Sequence, residues 1–261
     1  MRSLDIAATG MLAQQHNVEV ISNNIANMNT TAYMRRRTEF HDLLYQNLRR
    51  IGSTASDAGT IVPSGVQLGL GVKLAAVYRI HEQGNLANTD NSFDMAIQGN
   101  GFFQIQLPNG DTAYSRDGSF QLSPTGQIVT HDGNPLIPNI NIPANAVDVT
   151  INSSGEVLAK IQGQVAPQNV GQIQLATFPN DAGLEAVGDN LYLETPASGA
   201  ATTGAPGQAG YGTLLQGFLE TSNVNAVQEV SELISAQRAY EMNSKVIQTS
   251  DQMMGTLNQI R

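Results

Sequence analysis

Apolar residues recur at intervals of seven at both ends of this 261-residue chain, and this feature constrains the fold most strongly. Near the start, the column consists of Leu4, Met11, Val18 and Ile25. Near the end, it consists of Leu233, Tyr240, Ile247 and Met254. A seven-residue interval is typical of a helix that presents one narrow apolar seam to a partner. The sequence therefore predicts a helix at each terminus.

Residues that favour helix ends flank both predicted helices. Ser3 can cap the first helix, and the Asn-rich segment 22–31 is expected to end it because short polar side chains compete for backbone hydrogen bonds. The second helix is predicted over residues 223–258, which is about 54 Å at 1.5 Å per residue. The candidates for its cap are Ser222, Asn223 and Asn225.

Each apolar seam is narrow, because the neighbouring column is partly polar, as with Gln15 and Ser22. Helices with so little apolar surface need packing partners to be stable in water. The two helices can pair with each other, and we expect their remaining seams to contact neighbouring copies of the chain. An ordinary intramolecular helix pair explains the same periodicity equally well.

Between the helices the apolar period changes to two. Val66, Leu68, Leu70, Val72 and Leu74 alternate with Gly and polar residues, which predicts a half-buried strand. Later apolar runs are separated by turn dipeptides such as Asn109-Gly110 and Ser154-Gly155, as in an antiparallel sheet or barrel. The predicted fold class is α+β, with paired coiled-coil-like terminal helices flanking a β-rich antiparallel central domain.

Three segments between these elements have weaker signals. Residues 51–65 and 196–212 are rich in Gly and small residues and are expected to be loops or linkers. Residues 35–51 favour a short amphipathic helix. We expect three domains: a helical core of residues 1–45 and 222–261, a connecting region of 46–92 and 205–221 with extended or hairpin structure, and a β-rich outer domain of 93–204.

Chemically active motifs are not found in the sequence. The chain has no Cys, which excludes disulfides and thiol catalysis, and its four His residues are not at metal-ligand spacing. Asp90, Asn91 and Asp94 are interpreted as a turn, because the glycine and distal Glu of a calcium loop are missing. We expect no catalytic, cofactor or metal site, and therefore no enzyme.

Charge is unevenly distributed along the chain. Residues 82–223 carry two Lys/Arg against thirteen Asp/Glu, and so acidic a stretch repels nucleic acid. We expect no nucleic-acid partner and no small-molecule ligand. A β-rich binding module or carbohydrate-active enzyme remains an alternative, but it would show aromatic platforms or a paired-carboxylate cleft, and the chain has no Trp.

Three sequence runs resemble a known family. SLDIAATGMLAQQHNVEVISNNIANMNTTAY at 3–33, DMAIQGNGFFQI at 94–105 and GFLETSNVNAVQEVSELISAQRAYEMNSKVIQTSDQMM at 217–254 are similar to the start, the central motif and the C-terminal block of flagellar rod and hook proteins. Segments 35–46 and 222–224 most resemble distal rod subunits, with a proximal rod or hook protein as the alternative. Ala32 stands where the family usually has Gly, and Met34 where it has Lys or Arg.

The resemblance implies a structural subunit that self-assembles into a helical tube, which transmits torque from motor to hook and serves as an export channel. It implies a homo-oligomer whose partners are the proximal rod proteins, the hook protein, the P- and L-ring proteins and the flagellar type III export apparatus. Residues 1–9 do not resemble a secretory signal. The expected location is the periplasmic rod of the basal body, reached without a cleaved signal peptide.

Residues 51–65 are the candidate for the segment that keeps the rod straight. We expect them to extend onto a neighbouring subunit and block axial sliding. The anchoring residues would be Ile61, Val62 and Pro63. A mobile surface loop that tolerates deletion is the alternative.

Overall fold

The computed structural model describes residues 2–49, 64–164 and 166–259. Within them the chain is α+β, with a helix near each end and antiparallel strands between, which confirms the predicted class at that level. The helices are α1 (Arg2–Ala26) and α2 (Ala226–Gln259). The strands are β1 (Arg36–Asp42), β2 (Tyr45–Arg49), β3 (Val66–Gly69), β4 (Val72–Arg79), β5 (Leu86–Asn88), β6 (Met95–Gln98), β7 (Phe102–Gln106), β8 (Thr112–Ser115), β9 (Phe120–Leu122), β10 (Ile128–Thr130), β11 (Leu136–Ile137), β12 (Ala146–Ile151), β13 (Glu156–Ile161), β14 (Gln168–Gln172), β15 (Leu175–Thr177), β16 (Glu185–Gly188), β17 (Leu191–Leu193), β18 (Thr202–Gly204), β19 (Thr213–Gln216) and β20 (Phe218–Glu220).

The chain divides into two compact units. The helical unit comprises Met1–Ala26, Arg36–Arg79 and Asn225–Arg261. The β unit comprises Asn27–Arg35 and Ile80–Val224. The chain therefore passes between the units at four points. The three-domain division drawn from the sequence stays a prediction.

The helix ends follow the polar residues that flank them, with one exception. α1 ends at Ala26, inside the Asn-rich segment, as expected. Asn225 caps α2, because its Oδ1 accepts hydrogen bonds from the backbone N–H groups of Val227 at 3.1 Å and Gln228 at 3.3 Å. The predicted cap at Ser3 is wrong, since Ser3 lies inside α1.

A two-stranded ribbon completes the helical unit. β1 pairs with β4 and β2 pairs with β3, both antiparallel. The helix suggested for residues 35–51 is therefore wrong over 36–49, because pairing with residues 66–79 decides the conformation of that part. The strand predicted from Val66 to Leu74 is interrupted at Gly71, where φ is +119°. It is also more exposed than predicted, since Val66, Leu68, Leu70 and Leu74 are exposed.

The β unit is built around a seven-stranded sheet in the order β16-β17-β8-β7-β15-β18, with β11 also paired to β7. β12-β13-β14 form a three-stranded sheet, and three strand pairs complete the unit: β9 with β10, β6 with β19, and β5 with β20. Every pairing among these strands is antiparallel.

Consecutive aromatic residues on β7 anchor two separate cores. Phe103 packs edge-on against Phe120 with ring centroids 5.1 Å apart, in the larger core. Phe102 belongs to a second core with Tyr114 and Tyr192. Successive side chains of a strand point to opposite faces, so apolar cores cover both faces of β7.

The predicted turns are confirmed, whereas the segment predicted as a loop or linker at 196–212 contains a strand. Asn109-Gly110 joins β7 to β8, and Ser154-Gly155 joins β12 to β13, with both glycines at positive φ. The segment 196–212 is not a linker between domains, because β18 lies in it and pairs with β15. Its small residues allow close packing, and the hydroxyl of buried Ser198 donates to the carbonyl of Thr195 at 2.8 Å.

Candidate assembly surfaces

The two helices run antiparallel and meet along a column of small and polar residues. The hydroxyls of Ser3 and Ser250 lie 3.2 Å apart, and Asn24 Nδ2 donates to Glu229 Oε2 at 3.1 Å. A Cβ placed on Gly10 would lie 2.8 Å from Asn243 Nδ2. We call this contact the polar seam. It comprises Ser3, Gly10, Asn17 and Asn24 on α1, and Glu229, Ala236, Asn243 and Ser250 on α2.

The residues of the polar seam are buried or half-buried, and Asn24 at the end of α1 also binds the ribbon. Asn24 is 1 % exposed and Glu229 is 3 % exposed. Asn24 accepts a hydrogen bond from the backbone N–H of Arg36 and donates one to its carbonyl, both at 2.9 Å. One amide side chain therefore ties the end of α1 to the starts of α2 and β1. Sequence reasoning missed this seam, although the seven-residue spacing of its members is visible in the sequence.

The apolar columns predicted from the sequence flank the polar seam. Leu4, Met11, Val18 and Ile25 are half-buried, as are Leu233 and Ile247. Tyr240 and Met254 are 45 % and 40 % exposed. Their role as polymer interface stays a prediction. Their exposure means that pairing α1 with α2 leaves part of both columns uncovered.

Further apolar side chains of the helices are exposed. Val227, at 81 %, is the most exposed of them. The others are Ile6 and Leu12 on α1, and Val230, Ile234, Met242, Val246 and Met253 on α2. Scattered exposed apolar residues are ordinary on protein surfaces, but contiguous ones mark interaction sites. The helices thus carry more apolar surface than their own pairing uses.

The ribbon formed by β1–β4 also has exposed apolar side chains. Leu44 is 84 % exposed. Tyr45, Leu48, Val66, Leu68 and Leu70 are also exposed. A two-stranded ribbon is marginally stable in water unless another element covers one face. This ribbon is therefore a second candidate assembly surface.

The β unit contains a buried ion pair between Arg116 and Glu220. Arg116 Nε donates to Glu220 Oε2 at 2.8 Å, and both side chains are buried. The Arg116 guanidinium also donates to the carbonyls of Ile97, Gly99 and Gly101 at 3.0–3.3 Å. The second oxygen of Glu220 accepts from the backbone N–H of Gly84 at 2.9 Å. Such extra hydrogen bonds offset the cost of burying two charges.

Asn223, three residues after Glu220, joins further segments of the β unit. Its Oδ1 accepts from the backbone N–H of Arg35 at 2.7 Å, and its Nδ2 donates to the carbonyls of Ile80 and Glu82, both at 2.9 Å. Arg116, Glu220 and Asn223 form what we call the junction clasp. Its bonds fasten segments next to three of the four points where the chain leaves the β unit.

Ala32 also bonds to this region in a conformation that favours Gly. Its φ is +54°, and its backbone N–H donates to the Glu220 carbonyl at 2.8 Å. A non-Gly residue in the left-handed region is strained. The turn therefore has a backbone conformation that favours glycine, with Ala in its place. Met34, the second departure from the family pattern, is buried.

The straightening segment, metal sites and membrane spans remain to be considered. Ile61, Val62 and Pro63 lie outside the described residues. Among those that the structure does describe, no group of three or more His, Asp or Glu residues is arranged to hold a metal ion. Neither helix, over the part described, is long and apolar enough to cross a membrane.

Three family models match the chain. The model of the flagella basal body rod protein matches residues 4–33 and that of the flagellar hook protein FlgE/F/G D1 domain matches 96–159. The model of the flagellar basal body rod FlgEFG protein C-terminal region matches residues 215–260. The matches thus cover α1 from residue 4 onwards, all of α2 and part of the β unit.

Curated relatives align over almost the whole chain. Proteins named flagellar basal-body rod protein FlgG from Caulobacter vibrioides and Borreliella burgdorferi are 60 % and 47 % identical, covering 100 % of this chain and 100 % and 99 % of their own. The Bacillus subtilis protein of that name is 38 % identical, covering 98 % of each chain. The crystal structure of Helicobacter pylori flagellar hook protein FlgE2 is 16 % identical, covers 72 % of this chain and 43 % of that one, and has a TM-score of 0.25, so no argument rests on it.

Terminal helices and a ribbon with uncovered apolar faces, together with an antiparallel β unit, are the features of an assembly protein. The chain belongs to the flagellar basal-body rod protein family, as full-length relatives at 38–60 % identity show.

Proposed function

We propose that this chain is a structural subunit of the flagellar distal rod and assembles with copies of itself into a helical tube. The observation that carries the proposal is the apolar surface left uncovered on α1, α2 and the ribbon. Burying this surface against neighbouring copies stabilises each added subunit. In the tube, the apolar columns of the helices pack between subunits in a coiled-coil-like manner.

The tube acts as the drive shaft that carries torque from motor to hook. Each subunit contacts several neighbours through its helices and ribbon, and every added contact raises the resistance to bending and slipping. The hollow centre serves as the export channel. The full-length relatives are named as rod proteins, which favours the rod over the hook for this chain.

The partners follow from this place in the flagellum. The tube joins the proximal rod proteins at one end and the hook protein at the other, and it turns inside the P and L rings. The strong excess of acidic residues over 82–223 keeps that outer region soluble and prevents sticking. The subunit reaches the periplasmic rod through the type III export apparatus without a cleaved signal, and it has a structural rather than catalytic role.

Replacing the two exposed residues of the α2 column, Tyr240 and Met254, tests the proposal. The double variant Tyr240→Ser, Met254→Ser should keep the monomer fold, because both side chains are 40 % exposed or more. We expect it to remain in the supernatant under conditions in which the unmodified chain sediments as polymer.

Gln237→Ser, Gln248→Ser is the matched control, since it changes two exposed polar residues of the same helix. The control should sediment like the unmodified chain. Equal sedimentation of the apolar double variant would contradict the interface assignment.

A further inference from the structure

The apolar columns cannot by themselves fix how far α1 and α2 are shifted along each other. Both columns repeat every seven residues. A shift of α2 by seven residues therefore places each apolar residue opposite another member of the same column. Except at the helix ends, the apolar contacts are the same before and after the shift.

The polar seam does distinguish between these alignments. In the observed alignment, Asn24 bonds to Glu229, and the same spacing places Gly10 against Asn243 and Ser3 against Ser250. A seven-residue shift towards the start of α1 would place Glu229 opposite Asn17. Asn17 is bound to β1, because its Oδ1 accepts a hydrogen bond from Thr38 Oγ1 at 2.7 Å. The shift would also place Asn243 opposite Ser3 instead of Gly10, whose missing side chain makes room for it in the observed alignment.

The shift would also separate Asn24 from Glu229, two deeply buried polar residues of the helix pair. Asn24 Nδ2 would lose its carboxylate acceptor, and the Glu229 carboxylate would lose its amide donor. Breaking a hydrogen bond between two buried polar groups costs free energy, and for Asn24 only its bonds to the backbone of Arg36 would remain among those described above. This cost has no counterpart in the apolar columns, whose contacts away from the helix ends are the same in both alignments.

We propose that the polar seam, and chiefly the Asn24–Glu229 pair, sets the axial register of α1 against α2. These are positioning residues: they fix the stagger in which the apolar columns face neighbouring copies. The consequence for assembly rests on the proposed function, whereas the register itself does not.

The absence of Cys from the chain permits a direct test by disulfide trapping in dilute, monomeric full-length protein. Ser3→Cys, Ser250→Cys reports the observed register, because the two hydroxyls lie 3.2 Å apart. Ser3→Cys, Asn243→Cys reports the shifted register. Residues 243 and 250 are separated by about 10.5 Å along a helix, so a thiol introduced at position 3 cannot reach both from one place.

With Asn24 and Glu229 intact, the first pair should form a disulfide and the second should form little. Adding Asn24→Leu, Glu229→Leu should lower the first disulfide and raise the second roughly fivefold, as expected for a strongly coupled polar pair. Adding Ser22→Leu, Glu241→Leu instead places two leucines at exposed positions of the same helices and should leave the pattern unchanged.

Two results would overturn the proposal. A first disulfide that persists in the Asn24→Leu, Glu229→Leu protein would show that the chain connections set the register. Loss of both disulfides would show that the pair stabilises the helices without selecting their alignment. The conservative change Glu229→Gln keeps an oxygen acceptor for Asn24 and should keep the observed register. Polymer formation is not read in this assay, so its result is independent of the proposed function.

Discussion

At the residue scale, the most informative position is Ala32. The resemblance noted in the sequence implies Gly at this position, and Ala32 has a positive φ with a side chain present. The buried Ala32 methyl and the hydrogen bond from its N–H to the Glu220 carbonyl hold the residue there. Local strain is thus maintained by surrounding structure.

Replacing Ala32 with Gly should leave stability almost unchanged. Relief of left-handed strain is worth about 1–2 kcal/mol. Against it stand about 0.5–1 kcal/mol of backbone entropy and about 0.8 kcal/mol for one buried methyl group. Ala96→Gly, at a buried position on β6, lacks the strain term and should destabilise by about 1–2 kcal/mol. Denaturant unfolding of both variants checks this, and equal losses would show that Ala32 is unstrained.

The sequence predicted interactions between residues that are close in the chain and missed those between residues that are far apart. The Asn225 cap and the glycine turns depend on neighbours within a few residues, so local pattern was sufficient. The Arg116–Glu220 pair joins positions 104 residues apart, and neither residue has a local pattern that names its partner.

At the element scale, the junction clasp is expected to contribute more stability than a surface ion pair of the same unit. Glu220→Gln removes the carboxylate charge beside buried Arg116 and should cost about 3 kcal/mol. Glu82→Gln is the matched control, because Glu82 pairs with Arg35 at 3.4 Å while largely exposed. That change should cost under about 1 kcal/mol. Comparable losses in denaturant unfolding would mean that the buried pair has no special role.

Residues 51–65 belong to the same scale, as the connection between β2 and β3. We predict that deletion of residues 53–63 leaves polymerisation intact but gives curved, hook-like tubes, because contacts that block axial sliding are lost. Electron microscopy of the variant polymer measures the curvature. Straight tubes of unchanged stiffness would assign straightness to the helices instead.

The ribbon shows why elements were harder to predict than turns. Phe40, Leu44 and Leu48 are spaced by four, which suits a helix face and equally a strand with every second apolar position omitted. Antiparallel pairing with residues 66–79 makes the segment extended rather than helical. The local sequence of the segment does not reveal this pairing. The seven-residue columns identified the helices, but these columns flank the contact between α1 and α2.

At the scale of the whole molecule, the fold and the uncovered surfaces together support the proposed assembly of the chain. The β unit buries three apolar clusters of its own among the described residues. The helical unit pairs its helices through polar and small residues and leaves apolar side chains exposed. Assembly is therefore expected to bury the helical unit between copies and leave the acidic β unit at the outside.

Electron microscopy of the purified, unmodified chain at rising concentration tests this account most directly. The account predicts straight, hollow tubes, since the exposed apolar columns and ribbon gain partners only in a polymer. Dispersed monomers at every concentration would contradict the account by showing that the uncovered apolar surfaces do not bind neighbouring copies.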